Sequence, residues 1–288
     1  MKQGIWAKGL SEEKNIILAF TLDLDGIKSC NIKIAASSAY RLFVDGKFLG
    51  FGPNRAAHGY ARITEYTFEG RFIAIEVLGC GIKSFWLTKQ PSFFKCNLKA
   101  GEGFYSEKDF TCRKITDRAQ KVPRYSYQRC FSEIYRMYSP RDDYSAFPIM
   151  QIEPSGDVQL LRSLTLNPHL TKHYKFDIIS EGNVSINLEG KPWRDRAHYN
   201  VGKELDGFEI HEWEEAACDD VSKFCYDEEG SEGKYIIYDF GRAITGFLGI
   251  KASARGDCTI YLIFDELLWD EEKKGKNINT INLKGITG

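Results

Sequence analysis

The residues of this chain best suited to acid–base hydrolysis are its carboxylates, and Asp265 and Glu266 stand side by side at the end of an apolar run. Cleavage of a glycosidic bond needs two carboxyl groups on opposite sides of that bond, one of them kept protonated by its surroundings. Neighbours in a strand point to opposite faces, so this pair does not predict a facing acid and base. We interpret it as strand-end polarity or a salt bridge to Arg242, with the edge of a sugar site as the alternative.

Recognition of a sugar would use aromatic rings that stack on its C–H groups and polar side chains that bond its hydroxyls. Trp193 and Trp269 have charged neighbours, which favours a surface or interdomain contact, whereas Trp86 lies in an apolar run typical of a core. Arg55 and His58 follow a Gly-Pro stop, a position typical of a loop, where binding residues concentrate. The same loop could instead pin the preceding hairpin to the next domain. The predicted binding set contains no catalytic residue and consists of Arg55, His58, Trp193, Arg242, Asp265, Glu266 and Trp269.

Other chemical motifs are excluded by their spacing. Residues 79–84 end like a phosphate-binding loop, but Ile82 occupies the place of the required glycine and a strand-like run follows. The five histidines lack H-E-x-x-H spacing, and no G-x-S-x-G elbow is present. We therefore expect neither a metal nor a cofactor.

The eight cysteines are scattered, with no C-x-x-C pair. Several lie in apolar runs, as Cys258 does before Thr259 and Ile260. This placement predicts small buried thiols rather than a disulfide framework or a zinc site.

The charge balance and the hydropathy narrow the choice of partners and location. Lys and Arg total 39 against 40 for Asp and Glu, which gives no net field to attract nucleic acid or an anionic membrane. The first residues lack the pattern of a signal peptide, and no long apolar run predicts a membrane span. We therefore expect a cytoplasmic protein with neither nucleic acid nor membrane as its partner.

Strand signals dominate the chain and predict an all-β fold. Residues 40–51 form a hairpin pattern around Asp45-Gly46, and three runs at 236–240, 247–252 and 258–264 form a meander pattern. Many short strands with Gly-rich turns and no alternating helices favour sandwiches or jelly rolls of the galactose-binding type. We predict two β-sandwich domains, residues 1–150 and 151–288, the second cut short at its C-terminal end.

Four segments together resemble bacterial α-L-rhamnosidases of glycoside hydrolase family 78. They are YRLFVDGKFLGFGPNRAAHGY at 40–60, RYSYQRCFSEIYR at 124–136, KPWRDRA at 191–197 and YDFGRAITGFLGIKASARGDCTIYLIFDELL at 238–268. The resemblance covers most of residues 30–270, and its specificity comes from the series rather than from any one motif.

The resemblance implies a role beside a catalytic domain. In such enzymes two sandwiches precede a barrel of helical hairpins, which holds the acid and base for inverting hydrolysis of terminal α-L-rhamnosides. This chain is expected to be the non-catalytic front of such an enzyme, inactive alone, bracing the C-terminal catalytic domain and contacting a rhamnose-containing carbohydrate.

Two alternatives from other classes stay open. One is a free-standing carbohydrate-binding module without hydrolase activity. The other is an interaction module whose sandwich edges form a homodimer. Because sandwich folds host many unrelated functions, the fold itself does not decide among the three.

Overall fold

The computed structural model describes residues 3–84, 87–120, 122, 131, 133–136, 143–163, 176–185, 232–260, 262, 268–269 and 280–281. One short 3-10 helix, Glu107–Asp109, interrupts an otherwise all-β chain within these ranges. The strands are β1 (Gly4–Ala7), β2 (Ile16–Ala36), β3 (Ala39–Val44), β4 (Lys47–Gly52), β5 (Tyr60–Gly79), β6 (Phe94–Ala100), β7 (Gly103–Ser106), β8 (Thr111–Lys114), β9 (Ile152–Ser155), β10 (Gln159–Arg162), β11 (Asp177–Ser185), β12 (Glu232–Asp239), β13 (Leu268–Trp269) and β14 (Thr280–Ile281). The predicted all-β class is confirmed.

Two long antiparallel strands, β2 and β5, run through both layers of a sandwich. Their pairing is interrupted by a bulge between Asp23 and Lys28, where Gly26 has a φ of 79°. Before the bulge, β2 lies between β5 and β8, and β3 and β4 continue beyond β5. After it, β2 lies between β5 and β6. The bulge thus divides each long strand between a first layer (β4, β3, β5, β2, β8) and a second layer (β10, β5, β2, β6, β1, β9).

The main core lies between these two layers. Alternating residues of β2 point into it, so Leu18 and Phe20 from the first layer and Ile32 and Ile34 from the second are fully buried. Phe20 stacks on Phe94 of β6 with ring centroids 4.3 Å apart, which joins the layers directly.

The hairpin predicted around Asp45-Gly46 is confirmed as β3 and β4. Asp45 and Gly46 have φ values of 48° and 73°, the left-handed conformation that a tight hairpin turn requires. The Asp45 carboxylate also accepts a hydrogen bond of 2.8 Å from the backbone N–H of Phe72. The turn is therefore fastened to β5 as well as to its own strands.

The chain returns to the second layer at residues 152–162. β9 pairs with β1, and β10 pairs in parallel with residues 60–63 of β5. Between them Val158 packs in a small cluster with Ala35, Ala61 and Phe93. Both strands come after residue 150 in the chain, where the sequence analysis places the boundary between two domains. The position of that boundary stays a prediction.

Beyond residue 163, the described part of the chain contains less sheet than the sequence predicts. β12 confirms the predicted strand at 236–240 and pairs with β11. Residues 247–252 and 258–260 lie outside any strand and are exposed apart from half-exposed Thr259, so strands predicted there are wrong for these residues. Alternating apolar residues give a segment the capacity to pair, but a strand also needs a neighbour that supplies its backbone hydrogen bonds.

The predicted buried thiols are confirmed at Cys30, Cys80, Cys96 and Cys112, which are free and buried. Burial raises the pKa of Cys112 to about 12. Cys258 is exposed, so its predicted burial is wrong, because the strand that would have enclosed it does not form.

Among the helical residues that the structure describes, none belongs to a helix long and apolar enough to span a membrane.

Replacement of Gly156 should destabilise the fold by about 2 to 3 kcal/mol. Gly156 has a φ of 70°, and a Cβ there would overlap the ring of Phe93. Gly9 has a φ of 76° with no atom within 4 Å, so Gly9→Ala is a control that keeps the backbone strain without the overlap. Urea unfolding should show a larger loss for Gly156→Ala than for Gly9→Ala, and equal losses would contradict the packing role of Gly156.

Candidate functional site

The loop between β4 and β5, residues 53–59, presents two of the predicted binding residues. It begins at a cis Gly52–Pro53 peptide, and a Cβ at Gly52 would overlap the Tyr40 ring. Arg55 and His58 are exposed on it. A cation and an imidazole displayed together on one loop could donate hydrogen bonds to sugar hydroxyls.

The base of this loop is tied to the second layer. Asn54 Nδ2 donates to Ser163 Oγ at 2.6 Å. Arg62 donates through Nη1 to the carbonyl of Arg162 at 3.0 Å and through Nε to the carbonyl of Arg55 at 3.5 Å. The loop thus has a fixed base beneath its exposed side chains, whereas a contact that pins the hairpin to the next domain stays a prediction.

The other predicted binding residues are not assembled around this loop by any described contact. Arg242 is exposed just after β12, where the Asp239 carboxylate accepts a hydrogen bond of 2.7 Å from the N–H of Gly241. Trp269 belongs to β13, which pairs with β14, and only its backbone is described. Trp193, Asp265 and Glu266 lie outside the described residues, so the salt bridge predicted for Arg242 stays a prediction.

A buried charge cluster that is absent from the predicted binding set lies on the outer face of the first layer. Glu76 of β5 is 2% exposed. Its Oε2 accepts from Arg41 Nη2 at 2.6 Å and from Arg41 Nε at 3.0 Å, while its Oε1 accepts from the Tyr144 hydroxyl at 3.1 Å. The carboxylate is therefore bonded through both oxygens, as a buried charge requires.

Tyr135 extends this cluster toward solvent. Its hydroxyl donates to Glu133 Oε2 at 2.7 Å and lies 3.5 Å from Arg41 Nη2. Removal from water, together with the nearby Glu133 carboxylate, raises the pKa of Tyr135 to about 12. The Arg118 guanidinium lies 6.0 Å from the centre of the same ring and donates to Asn15 Oδ1 at 3.0 Å.

The cluster fixes the segment that follows β8 against the sandwich. Ile17 and Ala19 of β2 face outward here, and Ile115, Tyr144 and Phe147 cover them. The Ile17 N–H donates to Gln120 Oε1 at 2.7 Å within the same contact. Charges and apolar side chains therefore cover a face that would be exposed in a bare two-layer sandwich.

A sequence signal for this cluster did exist. Glu76 interrupts the apolar run at 73–78, and Arg41 lies between Tyr40 and Leu42. A charge inside a strand with apolar neighbours requires a partner of opposite sign if its face is covered. The sequence alone does not say which face that is.

Glu107, the other buried acid among the described residues, is also paired. Its Oε1 lies 3.4 Å from Lys95 Nζ, which also donates to the carbonyl of Gln3 at 3.0 Å. Both carboxylates are enclosed, so neither is placed where a glycosidic oxygen could reach it. Within the described ranges, no three acidic, histidine or cysteine side chains are grouped as metal ligands.

Glu76→Gln should lower the free energy of unfolding by about 2 kcal/mol, because it leaves the half-buried Arg41 guanidinium without its countercharge. The matched control is Glu65→Gln, which removes an exposed pair with Lys33 at 3.9 Å and should change stability by at most about 0.5 kcal/mol. Urea unfolding of the two variants gives the comparison. A similar small effect in both would show that the buried pair adds nothing to stability.

Tyr135 should make the fold sensitive to alkali. Its ordinary pKa of 10.0 is raised to about 12 in the fold, so its contribution is complete below pH 10 and is lost as the pH rises toward 12. Tyr135→Phe should therefore flatten the fall in unfolding free energy between pH 10 and 12, relative to wild type. The exposed Tyr238→Phe variant should retain the wild-type slope, and an unchanged slope in Tyr135→Phe would refute this assignment.

Comparison with solved structures finds rhamnosidases and a lectin that align with part of this chain. A GH78 family rhamnosidase of Bacillus sp. GL1 is 20% identical over 65% of this chain and 22% of its own, with a TM-score of 0.56. An alpha-L-rhamnosidase from Dictyoglumus thermophilum is 14% identical over 64% of this chain and 25% of its own, with a TM-score of 0.36. A Pleurotus ostreatus lectin in complex with GalNAc is 12% identical over 64% of this chain and 57% of its own, with a TM-score of 0.33.

No protein-family model matches the sequence, and neither does any curated protein. The aligned part of this chain spans 22% of the length of the Bacillus rhamnosidase. At 20% identity, this likeness concerns the fold. It confirms, at that level, the resemblance to rhamnosidases that the four sequence segments suggested.

Proposed function

We propose that this chain is the non-catalytic front region of an α-L-rhamnosidase-like glycoside hydrolase. It braces a C-terminal catalytic domain and contributes contacts to a rhamnose-containing carbohydrate. The parent reaction is the inverting hydrolysis of terminal α-L-rhamnosides, with the acid and base both supplied by the catalytic domain.

The observation that carries this proposal is the alignment with the Bacillus rhamnosidase. Sixty-five per cent of this chain aligns with only 22% of that enzyme. A part this small fits an accessory sandwich better than a complete hydrolase. A second support comes from the buried acids of the described residues, Glu76 and Glu107. Both are held in ion pairs, which suits a structural role better than a catalytic one.

The covered outer face of the first layer suits a bracing role. Glu76 and its partners hold the segment after β8 against β2 and β5, which adds a further layer to this side of the sandwich. A close-packed body resists deformation and can hold a neighbouring domain in a fixed orientation. Bracing therefore requires no chemistry from the sandwich itself.

The carbohydrate contact is assigned to the 53–59 loop. Arg55 and His58 are exposed there above a base fixed by Asn54 and Arg62. Trp193, Arg242, Asp265, Glu266 and Trp269 remain proposed contributors from the second region. Arg55→Ala with His58→Ala should weaken binding of L-rhamnose to the purified chain at least about tenfold, as measured by ligand-observed NMR.

Arg71→Ala is the matched control, since Arg71 is also an exposed arginine but lies in β5, outside the 53–59 loop, where its side chain bonds Asp23 at 2.8 Å. Rhamnose binding that survives in the double variant would remove the loop from the proposal. Turnover of a chromogenic aryl α-L-rhamnoside by the purified chain would overturn the non-catalytic assignment.

The bracing role is tested by the coding sequence downstream of residue 288. We expect it to continue into a catalytic domain of amphipathic helical hairpins with inward-facing carboxylates. A stop codon directly after residue 288 would contradict bracing and favour a free-standing carbohydrate-binding module. A dimer mass in solution, together with that stop codon, would favour the homodimeric interaction module instead.

A further inference from the structure

The chain between residues 151 and 163 contributes a strand to each edge of the second layer. β9 extends the layer beyond β1, and β10 extends it beyond β5. Only residues 156–158 separate the two strands, and Val158 packs on Ala35, Ala61 and Phe93 as the chain crosses. Ser155 Oγ adds a buried hydrogen bond of 2.7 Å to the carbonyl of Ser92.

The far end of this segment is bound to the 53–59 loop by backbone and side chains together. The N–H of Gln159 donates to the carbonyl of Gly59 at 2.8 Å, and the N–H of Ser163 donates to the carbonyl of Ile63 at 3.2 Å. The Asn54 amide and the Arg62 guanidinium close the same junction from the side. Arg62 is central, because it donates to carbonyls on both parts, Arg55 in the loop and Arg162 in β10.

We propose that residues 151–163 form a clasp that couples the exposed 53–59 loop to β10 and Ser163. The loop and β10 open and close as one cooperative unit, with Arg62 and Asn54 as its positioning residues. A ligand that holds the loop would then also hold β10 against β5. This coupling extends the proposed function but does not depend on any sugar.

The size of the clasp explains why side chains are needed to close it. β10 contributes four parallel register pairs, from Gln159 with Tyr60 to Arg162 with Ile63. A short parallel pair at the edge of a layer is among the weaker forms of sheet pairing, and edge elements open locally before the core does. Loss of the Arg62 or Asn54 contacts should therefore raise the opening rate of the junction and leave the core unchanged.

Residue-resolved amide hydrogen exchange on the full chain tests the coupling. Gln159 and Ser163 report on the clasp, and Tyr60, whose N–H bonds the carbonyl of Ala57 at 3.1 Å, reports on the loop. In Arg62→Ala, all three amides should exchange about fivefold faster than in wild type. Asn54→Ala, a milder change, should shift the same three amides in the same direction, and Arg71→Ala should shift none of them.

Faster exchange of the three amides as a group, with core amides of β2 unchanged, supports the clasp. Exchange of Gln159 and Ser163 at unprotected rates in wild type would overturn it. So would a change confined to the loop or to β10 in either variant, or no change in both variants. Because exchange is measured without carbohydrate, failure of the clasp and failure of rhamnose binding are separate results.

Discussion

The shared pairing of β2 and β5 is the constraint on which the rest of the sandwich depends. Each strand contributes one half to each layer. The pairing has one register before the bulge and another after it, and each register fixes the alternation of inward and outward residues in its own layer. A slip of one residue before the bulge would turn Phe20 to the outer face, and a slip after it would do the same to Ile34. The bulge between Asp23 and Lys28 permits this sharing, because it lets a continuous strand bend from one layer to the other.

The register before the bulge places Glu76 on the outer face and thereby creates the need for a cover. The neighbouring residues Ile75 and Val77 point into the core, so Glu76 must point away from it. Tyr144 and the other residues of the segment after β8 then enclose a face that would otherwise be open to water. Arg41 pairs with Glu76 from the neighbouring strand β3, and the Tyr144 hydroxyl, which donates to Glu76 Oε1 at 3.1 Å, joins the cover to the same carboxylate.

The sequence predicted those features that depend on local chemistry. The β3–β4 turn follows from Asp45-Gly46, and the exposure of Arg55 and His58 follows from the Gly-Pro stop before them. Features that depend on a distant partner were not predictable, which explains both the missed Arg41–Glu76 pair and the wrong expectation for Cys258. Alternating apolar residues show that a strand has an apolar face, whereas the topology of the fold determines which other segment covers that face.

The pairing of β1 with β9 has a consequence for synthesis of the protein on the ribosome. Gly4 and Ala7 are translated well before their partners Ser155 and Ile152, which follow only after the other strands of both layers have been made. Until then that side of β1 is an open strand edge, and such edges in nascent chains invite aggregation. β1 is therefore expected to be the last part of the sandwich to become protected, and the nascent chain to be most in need of a chaperone during that interval.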